Sequence, residues 1–269
     1  MGDRMKMYEM ELVGRKFMPL LPVVARLDGK CFSKFTEGLK RPFDKRLSDL
    51  MVDTAKHLVK ESGAVCGYTQ SDEITLAWCS SSVKSQIYFD GRIQKMISVL
   101  AATASVFFNK ELPTRIPEKV GRMPVFDCRA WQMPNLYEAT NAFLWREFDA
   151  TKNSIAMAAS HYYEHEELMG KHSGEKQEML FRKGVNWNDY PDFFKRGSFV
   201  QPVTKTEKFS KAELASLPPK HHAHTNPDLE FERTEVQVIP MPPFGKVVNR
   251  TSVIFRGEVP VINERICHE

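Results

Sequence analysis

The sequence predicts an α+β fold: a ferredoxin-type βαββαβ sheet with helices on one face, followed by a helical and loop-rich C-terminal part. Three observations carry this expectation. Short runs rich in Val, Leu and aromatic residues alternate with longer segments whose apolar residues recur every three or four positions. Over residues 20–131 their order is strand, helix, two strands, helix, strand. Beyond residue 135 the character shifts to a long helix and then to glycine- and proline-rich chain, which places a domain division between 1–134 and 135–269 and a weaker one near 201.

Each element has its own signal. LLPVVARL at 20–27 is short and apolar, as a buried strand requires, and Asp28-Gly29 ends it. Leu47, Leu50, Met51, Thr54 and Leu58 define one face of a helix over 43–61, with Gly63 as its stop. AVCGYT and EITLAW, divided by Gln70, Ser71 and Asp72, form a hairpin pattern. A second helix is expected over 91–110, its face built from Ile93, Met96, Ile97, Leu100, Ala101, Ala104 and Phe107, with Pro113 and Pro117 beyond it. MPVFDCRAW at 123–131 supplies the fourth strand. A long helix follows over 136–165. Residues 166–200 are loop-rich, with Gly170, Gly174, Gly184 and Gly197, and residues 201–245 hold seven prolines and the run HHAH at 221–224. NRTSVIFRGE at 249–258 reads as an added strand or an RNA-binding segment.

Composition narrows the classes. The apolar fraction of 42% supports a sizeable core, and a net charge of +4 permits a nucleic-acid partner without demanding one. The five cysteines, Cys31, Cys66, Cys79, Cys128 and Cys267, are scattered and form no CxxC pair, which argues against a disulfide framework and for a reduced compartment. The N-terminus is too charged for a signal peptide, and the longest helix-like apolar run, 96–108, falls short of the roughly 18 residues of a membrane span. A soluble, cytoplasmic protein without a membrane partner is expected.

The chemistry is concentrated in two short stretches. GYTQSDEITLAW at 67–78 places Asp72 and Glu73 side by side in a half-buried hairpin, where adjacent carboxylates repel each other and are costly to desolvate. In a βαββαβ sheet the first and third strands are neighbours, so Asp28 and Asp72 converge from adjacent backbones. Two hard carboxylates at an open site suit Mg²⁺, which takes substrate phosphates and waters as its other ligands, and two such ions suit phosphoryl transfer. An ordinary Asp-Gly turn and a solvated Ser-Asp-Glu loop are the bland alternatives; the expected placement on neighbouring strands is what favours chemistry. RLDGKCFSKF at 26–35 adds a glycine that lets the backbone approach a ligand closely and successive amides from Lys30 to Ser33 for a triphosphate. Lys30, Lys34, Lys40 and Arg41 add positive charge, or else form only a surface basic patch. Neither GxxxxGK[ST] nor GxGxxG occurs.

Six blocks, RLDGKCFSKF (26–35), KRPFDKRL (40–47), GYTQSDE (67–73), FDCR (126–129), LWREFDATKNSI (144–155) and EKQEMLFRKGVNWN (175–188), resemble the tRNA-His guanylyltransferase family in order and spacing. The likeness is greatest to its bacterial and archaeal guanylyltransferase-like branch, covers roughly residues 5–200, and thins beyond. It implies a polymerase-palm-like catalytic core that adds nucleotides to the 5′ end of tRNA in the 3′–5′ direction, with ATP activating a 5′ monophosphate by adenylylation and GTP as the incoming nucleotide. It implies two Mg²⁺ ions on Asp28, the Gly29 carbonyl and Asp72, with Glu73 also needed for activity. A nucleotide site would comprise Gly29, Lys30, Cys31, Phe32, Ser33, Arg41, Ser71, Asp72 and Arg129. Arg26, Arg146, Asn153 and Lys176 would meet RNA or the activating nucleotide, although Arg146 also has Glu147 and Asp149 at ion-pair spacing. A homo-oligomer, a tetramer in family members, is further implied.

Departures from the family pattern refine this. Thr151-Lys152-Asn153-Ser154 stands where eukaryotic members carry His-Ile-Asn-Asn, Ser33 replaces a family histidine, and Cys128 replaces the glycine of FDGR. This favours template-directed repair of shortened tRNA 5′ ends over the strict addition of one G to tRNA-His. A palm-type nucleotide cyclase or oligonucleotide synthase, and a non-catalytic RNA-binding module, are the rivals from other classes. HHAH reads as a solvated loop rather than a metal site, and His161, His165 and His172 as helix-surface residues. Phe32, Trp78, Phe107, Trp145 and Trp187 are assigned mostly to the core, with Trp187 the best candidate to stack on a base.

Overall fold

Residues 1–226 and 228–262 are described by a computed structural model; Cys267 lies outside them. In chain order the helices and strands are α1 (Gly2–Val13), β1 (Val23–Gly29), α2 (Phe32–Phe35), α3 (Lys45–Ser62), β2 (Cys66–Gln70), β3 (Glu73–Trp78), α4 (Ile93–Arg115) and β4 (Phe126–Gln132). There follow α5 (Leu136–Tyr162), α6 (His165–Leu168), α7 (Ser173–Arg182), α8 (Asp192–Arg196), β5 (Ser198–Lys208), α9 (Lys211–Ser216), β6 (Glu230–Ile239) and α10 (Arg250–Arg256).

The strands form one antiparallel sheet in the order β4-β1-β3-β2-β5-β6. Its first four strands have the expected βαββαβ topology, with β1 and β3 adjacent at the centre. Side chains alternate across each strand, so the two faces separate cleanly. Val23, Ala25, Leu27, Ile74, Leu76 and Trp78 point to one face and pack against Leu50, Met51 and Leu58 of α3 and Met96, Leu100 and Phe108 of α4. Asp44 caps α3 by accepting the Arg46 amide, and Gly63 ends it in the left-handed conformation, φ 65°. Pro113 sits inside the last turn of α4 rather than beyond it, and the chain leaves the helix at Ile116.

The second face is only partly open. Helix α5 lies across it: Ala139 and Ala142 pack on Val24, while Phe143 joins Tyr68, Phe199 and Phe244. The segment 249–258, read as an added strand or an RNA-binding segment, forms no strand: its residues Arg250–Arg256 are helix α10. Val253 and Ile254 sink into the same cluster, Gly257 at φ 68° ends the helix, and the buried Gln201 amide donates to the Val253 and Ile254 carbonyls at 2.7 and 3.1 Å. Residues 166–200 are organised as α6–α8 rather than as continuous loop. The described cysteines are unpaired, and no helix among the described residues is long and apolar enough to cross a membrane.

Two buried details generate tests. Gly67 on β2 has no room for a side chain: a Cβ there would lie 2.8 Å from a Val59 methyl and 2.9 Å from a Val200 methyl. Gly67→Ala is expected to lower the unfolding free energy by about 1–3 kcal/mol through overpacking, read as a reduced urea midpoint at unchanged slope. Glu147 on α5 is buried and accepts the Phe244 amide at 2.8 and 3.0 Å. Desolvation pushes its carboxyl up to about 7 despite that bond and the Arg196 guanidinium. A carboxyl raised on folding favours the fold most below its ordinary pKa, and that contribution is lost as pH rises through about 7. Stability should therefore fall more between pH 5 and 8 in the natural chain than in Glu147→Gln, compared by denaturant midpoints at each pH.

Candidate active site

The register of the three central strands builds a layered surface on the face that α5 shares. Asp28 of β1 stands directly opposite Glu73 of β3 on one side and Asp127 of β4 on the other. Directly cross-strand residues project to the same face, so three carboxylates form one row. One step along the same face lies Thr75–Arg26–Arg129, and one step further Ala77–Val24–Trp131. The face thus grades from acidic through basic to apolar within five residues of strand.

Asp72 is delivered separately. The hairpin turn is only Ser71-Asp72, with Gln70 already in β2 and Ser71 at φ 49°, so strand alternation does not dictate where Asp72 points. Its carbonyl accepts the Gly29 amide at 3.2 Å, which ties the turn to the end of β1, and its carboxylate accepts the Ser71 hydroxyl at 3.0 Å. Desolvation pushes its carboxyl up to about 6, with Asp28 and Glu73 adding repulsion. Asp28 is raised for the same reasons: burial first, then Glu73 and Asp127, against a smaller opposing pull from Arg26 and Arg129.

Glu73 is balanced differently. It accepts a hydrogen bond from Gln70 Nε2 at 3.0 Å and an ion pair from Arg146 of α5, whose guanidinium also bonds Asp149 at 2.9 Å. The Arg146 side chain is only 5% exposed, so its charge is spent within the chain and its stem braces α5 against the hairpin. No ion pair among the described residues involves Asp28 or Asp72. Two desolvated carboxylates without a cationic partner fit a hard divalent cation. No group of three or more His, Cys, Asp or Glu among the described residues forms a ready cage, so such an ion would complete its shell with water and phosphate oxygens, as Mg²⁺ does.

The loop after β1 is shaped by packing. A Cβ on Gly29 would lie within 2.6 Å of three atoms of the Phe32 ring, which is itself buried against Phe35, Phe108 and Phe126. The glycine is therefore required by the core as well as available to a ligand. Cys31 adopts the left-handed conformation, φ 58°, ahead of α2. The Lys30 amide is committed to the Val125 carbonyl at 2.9 Å, so of the amides expected to face a triphosphate those of Cys31, Phe32 and Ser33 are the ones without a backbone partner among the described hydrogen bonds.

The remaining sequence-predicted residues fall into two recesses. Arg41, Ser71 and Asn153 line one cleft together with Lys40, Gln70 and Phe43. Arg26 and Arg129 line the other, a groove between the sheet and the start of α5. Lys176 joins neither. It lies on α7, not in a loop, and α7 packs on Ala158 and Ala159 of α5, roughly three turns beyond Arg146. Trp187 donates to Ser154 Oγ at 3.2 Å and is packed with Leu180 and Phe194, whereas Trp145, assigned to the core from sequence, is 52% exposed and stacked by Arg146 and Arg26. HHAH is a short turn in which His221 Nδ1 accepts the Ala223 amide. Two residues beside the candidate site were not singled out for it from the sequence. Asp127 was available from pairing FDCR against RLDG in antiparallel register; Trp145 carried no signal beyond its place beside Arg146.

A palm-like sheet whose central strands end in a row of carboxylates, followed by a loop with amides that lack a backbone partner among the described hydrogen bonds, has the framework of a nucleotidyltransferase. Comparison with known proteins makes this specific. Residues 2–134 match the family model described as tRNAHis guanylyltransferase. A tRNA(His) guanylyltransferase of Neurospora crassa is 31% identical over 224 residues, spanning 73% of this chain and 75% of that protein. A bacterial tRNA(His) guanylyltransferase-like protein in complex with ATP superposes with a TM-score of 0.75 at 31% identity, covering 91% of this chain and 94% of the other. A bacterial protein of the same description in complex with GTP gives 0.69 at 30% identity, with the same coverages. The chain belongs to the tRNAHis guanylyltransferase family.

The Arg146 bracket is testable by itself. Arg146→Gln leaves Glu73 half-buried without its counter-charge and should destabilise the fold by about 3 kcal/mol. In the double variant with Glu73→Gln the loss should be smaller than the sum of the single losses by about 1 kcal/mol or more, measured as a denaturation cycle.

Proposed function

We propose that the protein is a Mg²⁺-dependent 3′–5′ nucleotidyltransferase that repairs tRNA 5′ ends. In this reading a 5′ phosphate attacks the α-phosphate of ATP and is adenylylated with release of pyrophosphate, and the 3′ hydroxyl of an incoming nucleotide, GTP by preference, then displaces AMP. Pairing with the opposite tRNA strand selects the nucleotide. The observation that carries the reading is the meeting of Asp28 and Asp72 at the end of β1, two desolvated carboxylates with no ion-pair partner among the described residues, followed in sequence by the 31–33 amides, which have no backbone partner among the described hydrogen bonds. Asp28, Asp72 and the Gly29 carbonyl would hold two Mg²⁺ ions, which when bound supply charge neutralisation at the transferring phosphate. Glu73 holds Arg146 and so keeps the hairpin and α5 in fixed relation. The amides of Cys31, Phe32 and Ser33, with the Lys30 and Arg41 side chains, bind and orient the triphosphate; Ser71 and Asn153 line the same cleft as Arg41. Arg26, Arg129 and Lys176 supply positive charge to tRNA or to the activating nucleotide. Template-directed repair is favoured over strict tRNA-His addition by Thr151-Lys152-Asn153-Ser154, which stands where eukaryotic members carry His-Ile-Asn-Asn. We further assign the protein to the cytoplasm, as a homo-oligomer whose N-terminal 1–134 unit carries the catalysis.

The test uses purified protein, 5′-truncated tRNAs, ATP, GTP and Mg²⁺, with sequencing of extended ends. Asp72→Asn should lose nucleotide addition by at least about a hundredfold, on the scale of a lost electrostatic anchor. Chelation should abolish addition and Mg²⁺ restore it. Near-normal extension by Asp72→Asn would overturn the metal role, and labelled GTP recovered only in a small product would point to a cyclase or synthase. Extension confined to tRNA-His with a single G would replace repair by the strict activity.

A further inference from the structure

The groove beside the carboxylates has a chemistry of its own. It measures about 490 Å³, within the range of small-ligand sites, and lies on the basic and apolar rows of the sheet. Its floor is Arg26, Arg129 and Trp131; its wall is one stripe of α5, with Glu138, Asn141 and Trp145 following one another at three- and four-residue spacing. Trp145 remains 52% exposed although two guanidiniums approach its ring, at 5.7 and 4.5 Å from the centroid. Glu138 and Asn141 are half-buried and joined, Asn141 Nδ2 donating to Glu138 Oε1 at 3.2 Å. Glu138 forms no direct ion pair among the described residues, so its carboxylate stands as an acceptor in a groove whose other lining is two guanidiniums, two indole rings, the Asn141 amide, Met133 and Ala142.

We infer that this groove is a guanine-nucleotide subsite, distinct from the Arg41–Ser71–Asn153 cleft. The assignment follows from the edges of the bases. Guanine presents two adjacent donors, N1–H and N2–H, which one carboxylate accepts together, and an O6 acceptor that suits the Asn141 amide. Adenine places an acceptor, N1, where the carboxylate needs a donor. The exposed Trp145 ring offers a stacking face, and the Arg26–Arg129 row receives the phosphate. The Glu138–Asn141 bond fixes both side chains before a ligand arrives, so little ordering is required on binding. The inference rests on the proposed function only in that a guanine nucleotide is handled nearby; that nucleotide is either free or the terminal residue of an RNA.

The experiment is a binding titration followed by tryptophan fluorescence in EDTA, so that no divalent ion bridges phosphate to Asp28 and Asp72. GMP is compared with AMP, and a 5′-phosphorylated RNA tetranucleotide beginning with G with one beginning with A. Guanine should be preferred by roughly tenfold or more. Glu138→Gln, which cannot accept both donors, should bring the two bases within about twofold of each other. Trp145→Ala should weaken both by roughly tenfold, with Trp145→Phe restoring most of the loss. Thermal unfolding of each variant checks that the fold is retained. A tetranucleotide bound at least tenfold more tightly than GMP assigns the subsite to RNA, and comparable binding assigns it to free nucleotide; either supports the inference. Equal binding of GMP and AMP, or a preference unchanged by Glu138→Gln, overturns it. If the natural chain extends tRNA 5′ ends yet shows no such preference, this inference falls alone. If it shows the preference yet extends no RNA, the proposed function falls and the subsite stands.

Discussion

The central constraint is the antiparallel register of β1 between β3 and β4. A slip of one residue on either side would send Asp28 and its neighbours to opposite faces. That register aligns Glu73, Asp28 and Asp127 in one row and Arg26 with Arg129 in the next, and it is fixed from the other side of the sheet. Val23, Ala25, Leu27, Ile74, Leu76 and Trp78 can bury themselves under α3 and α4 in only one phase, so the hydrophobic core decides where the charges stand. A costly row of like charges is held in place by a much larger favourable burial on the reverse face.

Helix α5 supplies the second half of the arrangement. Its 27 residues contact the sheet, the hairpin turn and the C-terminal segment, and the chemistry of its side chains changes along its length. The first turns carry Glu138, Asn141 and Trp145 over the basic row; the middle carries Arg146 into the acidic row; Ala158 and Ala159 beyond pack α7. Glu147 points away from the site and receives the Phe244 amide, so the same helix that braces Glu73 is itself fixed by chain almost a hundred residues later. The residues after 135 are thus part of what holds the N-terminal carboxylates in geometry.

Much of this was legible in the amino acids. Periodicity located the strands and helices of the βαββαβ unit to within a few residues, because each buries a continuous stripe whose spacing is set by backbone geometry alone. That Asp28 and Asp72 lie close together was foreseeable because topology makes β1 and the β2–β3 hairpin neighbours. The failures have a common cause. Pro113 was read as a boundary although the helix admits it in its last turn, and VIF at 253–255 has β-branched and aromatic residues that local propensity assigns to a strand. There the buried Gln201 amide and the cluster around Phe143 decide for helix. Trp145 and Arg146 exchanged their expected roles, the tryptophan exposed and the arginine buried, because the phase of α5 is set by Ala139, Ala142 and Phe143, whose partners lie far away in sequence.

The β5–β6 ribbon has a different mechanical character. β5 is bonded to β2 at only three register positions, Ser198 to Val200, but to β6 over ten, Phe199 to Lys208. Its outer portion is therefore two strands with no third to flatten them, joined by the Thr204–Thr234 hydroxyls and the stacked rings of Phe209 and Phe231. A free ribbon of this kind twists more than a full sheet and yields to bending before the body of the molecule does. Adding or removing paired residues at its tip would lengthen or shorten a lever arm while leaving the palm untouched.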